Sequence, residues 1–263
     1  MASSPRSGSR MRSEKWLLPL GFAVVLIALW QLAVVATGTN VVPGPWQVLR
    51  GLGELYDKGL LVRYTLDSIR RVAIGYGIAV AIGVPLGLWM GLSATVFAAA
   101  NPLVQILRPI SPIAWIPIAI VVWGIGEAAP IFLIALAGML PIASMVAAHV
   151  RSVPPMYLAA ARNFGLGEAA IIRRVLFPAV LPNMLSSLRL ALGVCWIVVV
   201  AAEMIAVDSG LGYLIIDSRN AGKRYDLVVA GMVLVGAVGL ALDLMFRGLE
   251  RVRSVRWGFR ASS

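Results

Sequence analysis

The chain has 263 residues, 60% apolar and 13% charged, with a mean hydropathy of +0.88. That composition excludes a soluble globular enzyme, a disordered chain and a collagen-like repeat, and no ten-residue alternation marks a β-barrel. The 23 Lys and Arg against 12 Asp and Glu give a charge of +11, which a basic cytoplasmic face explains more economically than nucleic-acid binding. One cysteine (Cys195) and one histidine (His149) leave neither a disulfide framework nor a zinc site, and no metal or other cofactor is expected.

A membrane helix needs about 20 mostly apolar residues. The first such stretch is 16–36, after a basic tail (1–15) carrying Arg6, Arg10, Arg12 and Lys15. It is too long for a signal peptide and lacks a small-residue cleavage site, so it reads as an uncleaved anchor. Residues 42–58, with Pro43, Gly44 and Pro45 before Trp46, Val48, Leu49, Leu52 and Leu55, predict a short amphipathic surface helix. The second span is 69–92, where Gly75, Gly77, Gly83, Gly87 and Gly91 are expected to permit close approach of a neighbour. The third, 98–123, contains Pro102, Pro109, Pro112 and Pro117 and must be kinked or partly unwound. The fourth is 129–150, followed by a more polar connection at 151–178. The fifth and sixth are 179–207 and 226–246, ahead of a basic tail at 247–263. This reading gives an all-α polytopic protein of six spans, its membrane domain covering 16–246.

With the N-terminus inside, 13 basic residues fall on the cytoplasmic side and eight on the other, so both termini are expected in the cytoplasm. Arg63, Arg70 and Arg71, placed outside, weaken the bias. The eight outer cations are opposed by six outer carboxylates, leaving a +2 excess that favours an anionic solute by steering.

Ionisable groups at mid-span cost about 2.5–3.5 kcal/mol to insert and face a partner or a wet cavity. Arg189 and Glu203, 14 residues apart with Trp196 midway, lie within about 40° of one helix face, a stripe about 21 Å long. These three either line a translocation path, or the two charges snorkel to opposite interfaces while Trp196 packs. Asp243 and Arg247 form an i,i+4 pair. Arg108, before Pro109 in the broken span, could meet an anion or a loose carbonyl, and a structural role is preferred. His149 is expected at the cytoplasmic end of its span.

The connection reads Ala159-Ala160-Ala161-Arg162-Asn163-Phe164-Gly165, nine residues, then Val175-Leu176-Phe177-Pro178. It resembles the EAA loop of bacterial ABC-importer permeases: Glu-Ala-Ala, three residues, Gly, nine residues, Ile-x-Leu-Pro. Ala160, Ala161, Gly165 and Pro178 match, Val175 replaces Ile, and Ala159 stands where the pattern has the Glu expected to open the first coupling helix against its positive end. The literal Glu168-Ala169-Ala170 has the wrong spacing. Small residues would let the first helix seat in another subunit, Gly165 would break the chain, and Pro178 would end the second helix. Further strings resemble the nitrate, sulfonate and taurine importer permeases, a binding-protein-dependent transport family: Arg108–Pro117, Trp123–Glu127, Leu188–Gly193, Ala201–Ile205 and Gly210–Leu214.

The resemblance implies a type I ABC-importer permease architecture and a non-enzymatic transmembrane subunit in a bacterial inner membrane. Its path would carry a small solute, an anion of the nitrate, sulfonate or taurine class, delivered by an external solute-binding protein. It implies an ATP-binding subunit in two copies and a second copy of the permease, embedded in lipid, with no nucleic acid. The coupling residues would be Ala159, Ala160, Ala161, Arg162, Gly165 and Pro178. No Gly-x-x-x-x-Gly-Lys-Ser/Thr motif occurs here, since Gly222-Lys223 is followed by Arg224. A self-contained secondary transporter is the alternative, but it usually shows internal repeats that are not evident. A serine protease built on Ser209 fails because His149 is expected on the opposite side of the membrane.

Overall fold

Glycine spacing sets the centre of the fold. The computed structural model describes residues 10–38 and 42–250, and its long helices are α1 (Arg10–Thr37), α3 (Leu60–Leu92), α6 (Ala128–Arg151), α9 (Phe177–Ala206) and α11 (Tyr225–Glu250). On α3, Gly75 lies against Ile131 and Ile134 of α6, Gly83 against Met139 and Ile142, Gly87 against Ala143 and Val146, and Gly91 against Val150. The numbers rise together, so α3 and α6 run parallel, with the backbones close enough that a Cβ at Gly87 would sit 2.6 Å from the Ala143 carbonyl. Gly77 faces open space and is not part of this seam.

α9 runs antiparallel to both. Cys195 reaches the Ile134 carbonyl at 3.5 Å, His149 Nε2 lies 2.7 Å from Ser187 Oγ, and Tyr76 donates to the Leu188 carbonyl at 2.9 Å. α11 returns parallel to α3, with Trp196 Nε1 donating to the Val235 carbonyl at 3.1 Å. The α6–α9 connection therefore shares one end of the bundle with the C-termini of α3 and α11, hereafter the loop end.

The expected break in the third span lies at its prolines. α4 (Ala94–Leu107) stops before Pro109, and a 3-10 turn (Pro112–Trp115) opens α5 (Ile116–Trp123) at 85° to it. A residue preceding proline is driven out of the helical region, and Ser111 is extended at ψ 129°. The pair still traverses the bundle. Phe97 near its start lies 4.1 Å beneath the Arg151 guanidinium at the loop end. Just beyond its far end, the Gly126 N–H donates to the Ala206 carbonyl at 2.9 Å.

Among the described residues, four helices are long and apolar enough to cross a membrane, or five with the bent pair counted as one span. Gly21–Thr37 in α1 forms a shorter apolar helix, so the expected six is not established by these criteria. Helices also outrun their predicted spans. α1 begins at Arg10, inside the expected 1–15 tail, α3 at Leu60 and not 69, and α11 continues to Glu250, inside the expected 247–263 tail. Helical hydrogen bonding does not stop at the hydrocarbon boundary. The tails beyond, residues 1–9 and 251–263, lie outside the described residues.

The surface helix is α2 (Pro45–Asp57), which buries Val48, Gly51 and Leu55 and leaves Trp46, Leu49 and Tyr56 exposed. It rests with Leu214 and Ala230 in one apolar cluster and is tied by Arg224, which meets Glu54 at 2.5 Å and Asp226 at 2.8 Å. Arg224 and Lys58 hold the Glu54 carboxyl down to about 2.

The seam gives a direct test. Gly87→Val should destabilise the protein in detergent by about 1–3 kcal/mol through overpacking, whereas Gly77→Val should change the thermal midpoint little. Equal midpoints for the two variants would contradict the close approach.

Candidate functional site

Two polar regions stand at opposite ends of the bundle. The loop end is built from α7 (Pro155–Asn163) and α8 (Glu168–Ile171), and a π-helical turn (Ile172–Leu176) then leads into α9. α7 closes with a Schellman arrangement, Leu166 N–H to the Ala161 carbonyl at 3.1 Å and Gly165 N–H to the Arg162 carbonyl at 2.9 Å. That closure needs a left-handed residue, and Gly165 has φ +77°. Ala161 is buried, while Ala159, Ala160, Met156 and Tyr157 are exposed and Phe164 is 85% exposed. Arg162 Nε meets Glu168 Oε1 at 3.0 Å, clasping the hairpin across the glycine.

Two local expectations need correction. Pro178 does not end a helix: it lies in the first turn of α9, and helical structure is continuous from Glu168 to Ala206. The π-turn just before it changes the hydrogen-bond register, which accommodates a residue without an N–H. Position 159 does not open α7, which begins at Pro155, so a carboxylate there would sit beyond the first turn, where the helix dipole acts most strongly.

From mid-bundle to the opposite end, α9 presents the predicted stripe, and each of its members meets another helix of the same chain. Arg189 Nε lies 3.5 Å from Asp243 Oδ1 on α11, and Asp243 also holds Arg247 at 2.8 Å, the expected i,i+4 pair. Trp196 packs on Gly239 of α11. Glu203 is 0% exposed and Trp196 is 6% exposed, so α3, α10 (Leu211–Gly222) and α11 cover the stripe.

Glu203's partner was not foreseen. Arg71, placed by the sequence reading in an outer loop, is fully buried on α3 and uses all five of its N–H donors. Nε and Nη2 meet Glu127 at 3.1 and 2.7 Å. Nη1 meets Glu203 Oε1 at 2.7 Å and the Ser209 carbonyl at 2.8 Å, and Nη2 also meets Ser209 Oγ at 2.6 Å. Arg70 adds a second contact to Glu127 at 2.9 Å. Arg71, with Arg70, holds the Glu127 carboxyl below its ordinary range. The other Glu203 oxygen accepts from Ser68 Oγ at 2.8 Å and from Gly212 N–H at 3.0 Å, and Ser68 Oγ accepts from Leu211 N–H at 2.9 Å. Two otherwise unpaired donors at the start of α10 are thereby satisfied.

α10 itself went unpredicted, because 12 residues are too few for a span and its buried side chains are Leu211, Leu214 and Ser218, beside the buried Gly212. One signal was available in the sequence: a buried glutamate demands a cation, and Arg70 and Arg71 were the candidates at that end. Ser209 is engaged by Arg71, and His149 pairs with Ser187 near the loop end.

Two of the quoted strings thus each supply a carboxylate to one arginine, and a third, Gly210–Leu214, supplies an N–H to Glu203. A family profile described as "Binding-protein-dependent transport system inner membrane component" matches residues 83–254. The chain belongs to that family. The permease is similar to the taurine transport system permease protein TauC of Escherichia coli K12, 34% identical over 257 residues covering 91% of this chain and 92% of the relative. It is similar also to the nitrate import permease protein NrtB of Synechocystis, 33% identical over 248 residues covering 90% and 89%. The solved MetNI methionine ABC transporter, in an inward facing conformation, matches with a TM-score of 0.59 at 23% identity over 73% of this chain and 97% of that one, which shows the fold. The permease is an all-α, multi-pass membrane subunit with type I importer architecture.

Removing Ser68 Oγ leaves the Leu211 N–H and one Glu203 oxygen short of a partner. Ser68→Ala should therefore destabilise by about 1–3 kcal/mol. Ser209→Ala should cost less, since its carbonyl contact to Arg71 persists. Thermal unfolding in detergent checks the order, and a neutral Ser68→Ala would contradict the network.

Proposed function

We propose that the permease is the transmembrane subunit of an ATP-driven importer of a small anion, and that 151–178 docks on its ATP-binding subunit. The carrying observation is the small, exposed α7 face, where Ala159 and Ala160 lie beside Tyr157 and Phe164, closed by the Gly165 turn at the family's loop spacing. A solvated helix would carry polar side chains there, whereas large apolar groups at this exposure mark a contact surface. The names of TauC and NrtB, a taurine and a nitrate permease, support the anion class.

The importer works as two permeases over two ATP-binding subunits, with a solute-binding protein at the end opposite the loop. The loop end and both termini face the cytoplasm, where Arg151, Arg162, Arg173, Arg174 and Arg247 give it the basic character of an inner face. Arg189, Trp196 and Glu203 serve the path from behind, anchoring α9 to α3, α10 and α11 so that its other face can line the passage. Arg162 and Pro178 act within the loop, as the clasp to Glu168 and as the rigid start of α9.

Reconstitution with the ATP-binding subunit tests the docking. Ala160→Glu should lower stimulated ATP hydrolysis about tenfold or more with membrane insertion intact. Ala159→Glu, which restores the residue that the loop pattern carries at this position, should be tolerated, and Gly165→Val should be damaging because a β-branched residue resists φ +77°. Wild-type coupling by Ala160→Glu and Gly165→Val would refute the docking surface.

A further inference from the structure

We propose that Arg108, at the break between α4 and α5, is the membrane-embedded contact for the transported anion. The site is a cavity of about 80 Å³ lined by Arg108, Trp115, Leu136, Ala137, Leu140 and Pro141, room for several waters or one small ion. Its depth follows from α6: Leu140 lies midway along this 24-residue helix, about 17 Å from either end. A guanidinium at that level is too deep to reach either interface without a wet route.

Arg108 differs from Arg71, Arg189 and Arg247. Those three are each matched to a carboxylate, while Arg108 has no side-chain hydrogen bond or ion pair among the described residues. The carbonyl of Ala137, a residue of the cavity wall, lacks its usual helical donor because Pro141 has no N–H, and Arg108 does not bond to it. The expected structural role therefore has no visible partner. Among the described residues no carboxylate reaches Arg108, and Asp243, the acidic residue nearest mid-span, is committed to Arg189 and Arg247. Arg108 is exposed on this chain, open to a negative charge from outside it. A planar guanidinium with free donors beside Trp115, in an otherwise apolar cavity, suits a small oxyanion held by charge-assisted hydrogen bonds.

This inference rests on the importer reading, and one experiment separates the two. The permease, its ATP-binding subunit and its binding protein are reconstituted in liposomes, and ATP-dependent uptake of labelled nitrate and taurine is measured. Arg108→Lys should keep uptake within about threefold, and Arg108→Gln should lower it about tenfold or more, as expected for losing a charge-assisted contact, with the thermal midpoint unchanged. Should Arg108→Gln fold poorly, Arg108→Cys in a Cys195→Ala background supplies the second arm. Uptake should recover with aminoethyl methanethiosulfonate, which restores a positive charge, and not with the neutral methyl reagent. Wild-type uptake by Arg108→Gln, or equal recovery with both reagents, overturns the inference alone. No ATP-dependent uptake of either solute by the wild type contradicts the importer reading itself, and the inference with it.

Discussion

A single buried guanidinium organises one end of this permease. Arg71 reaches from α3 to the residue preceding α6, to α9 and to the turn before α10, and spends every donor on them. A charge taken out of water is tolerable only when its geometry and its remaining hydrogen bonds are complete. That requirement fixes the positions of Glu127, Glu203, Ser209 and, through Glu203, Ser68 and the first turn of α10. It also explains the glycines nearby. Gly210 has φ +106°, and a Cβ there would meet the Glu203 carboxyl and Arg71; at Gly212 it would meet the Val200 carbonyl. The backbone comes this close because the carboxylate has to be reached by its N–H groups.

From that end the helices descend together. The α3–α6 glycine seam keeps two parallel backbones in register, and α9 packs antiparallel on both. A displacement of the α7–α8 hairpin therefore meets stiff helices: α9 is helically continuous with α8 through the π-turn, and α9 is pinned at its far end by Glu203. The break between α4 and α5 is the exception, a place where proline removes hydrogen bonding and leaves space at mid-depth.

Much of this was legible in the sequence because it depends on local pattern. The amphipathic α2, the glycine face of α3, the proline break and the Gly165 turn each follow from spacing along a few turns. The stripe on α9 follows from spacing within one helix, whereas what covers it depends on helices far away in the chain. Arg71 was misplaced for a related reason: at the border of an apolar run, a basic residue looks like a loop charge until its partners, 56 and 132 residues away, are known. α10 was missed because its three buried side chains make too weak a periodicity.

The clamp can be measured directly by a double-mutant cycle on Arg71 and Glu203 in the purified protein. Arg71→Met and Glu203→Met should each destabilise by about 3–5 kcal/mol, since either strands a buried charge, while the double variant should be destabilised by far less than the sum. Additive losses would contradict the claim that these two residues hold each other, and with them the end of the bundle.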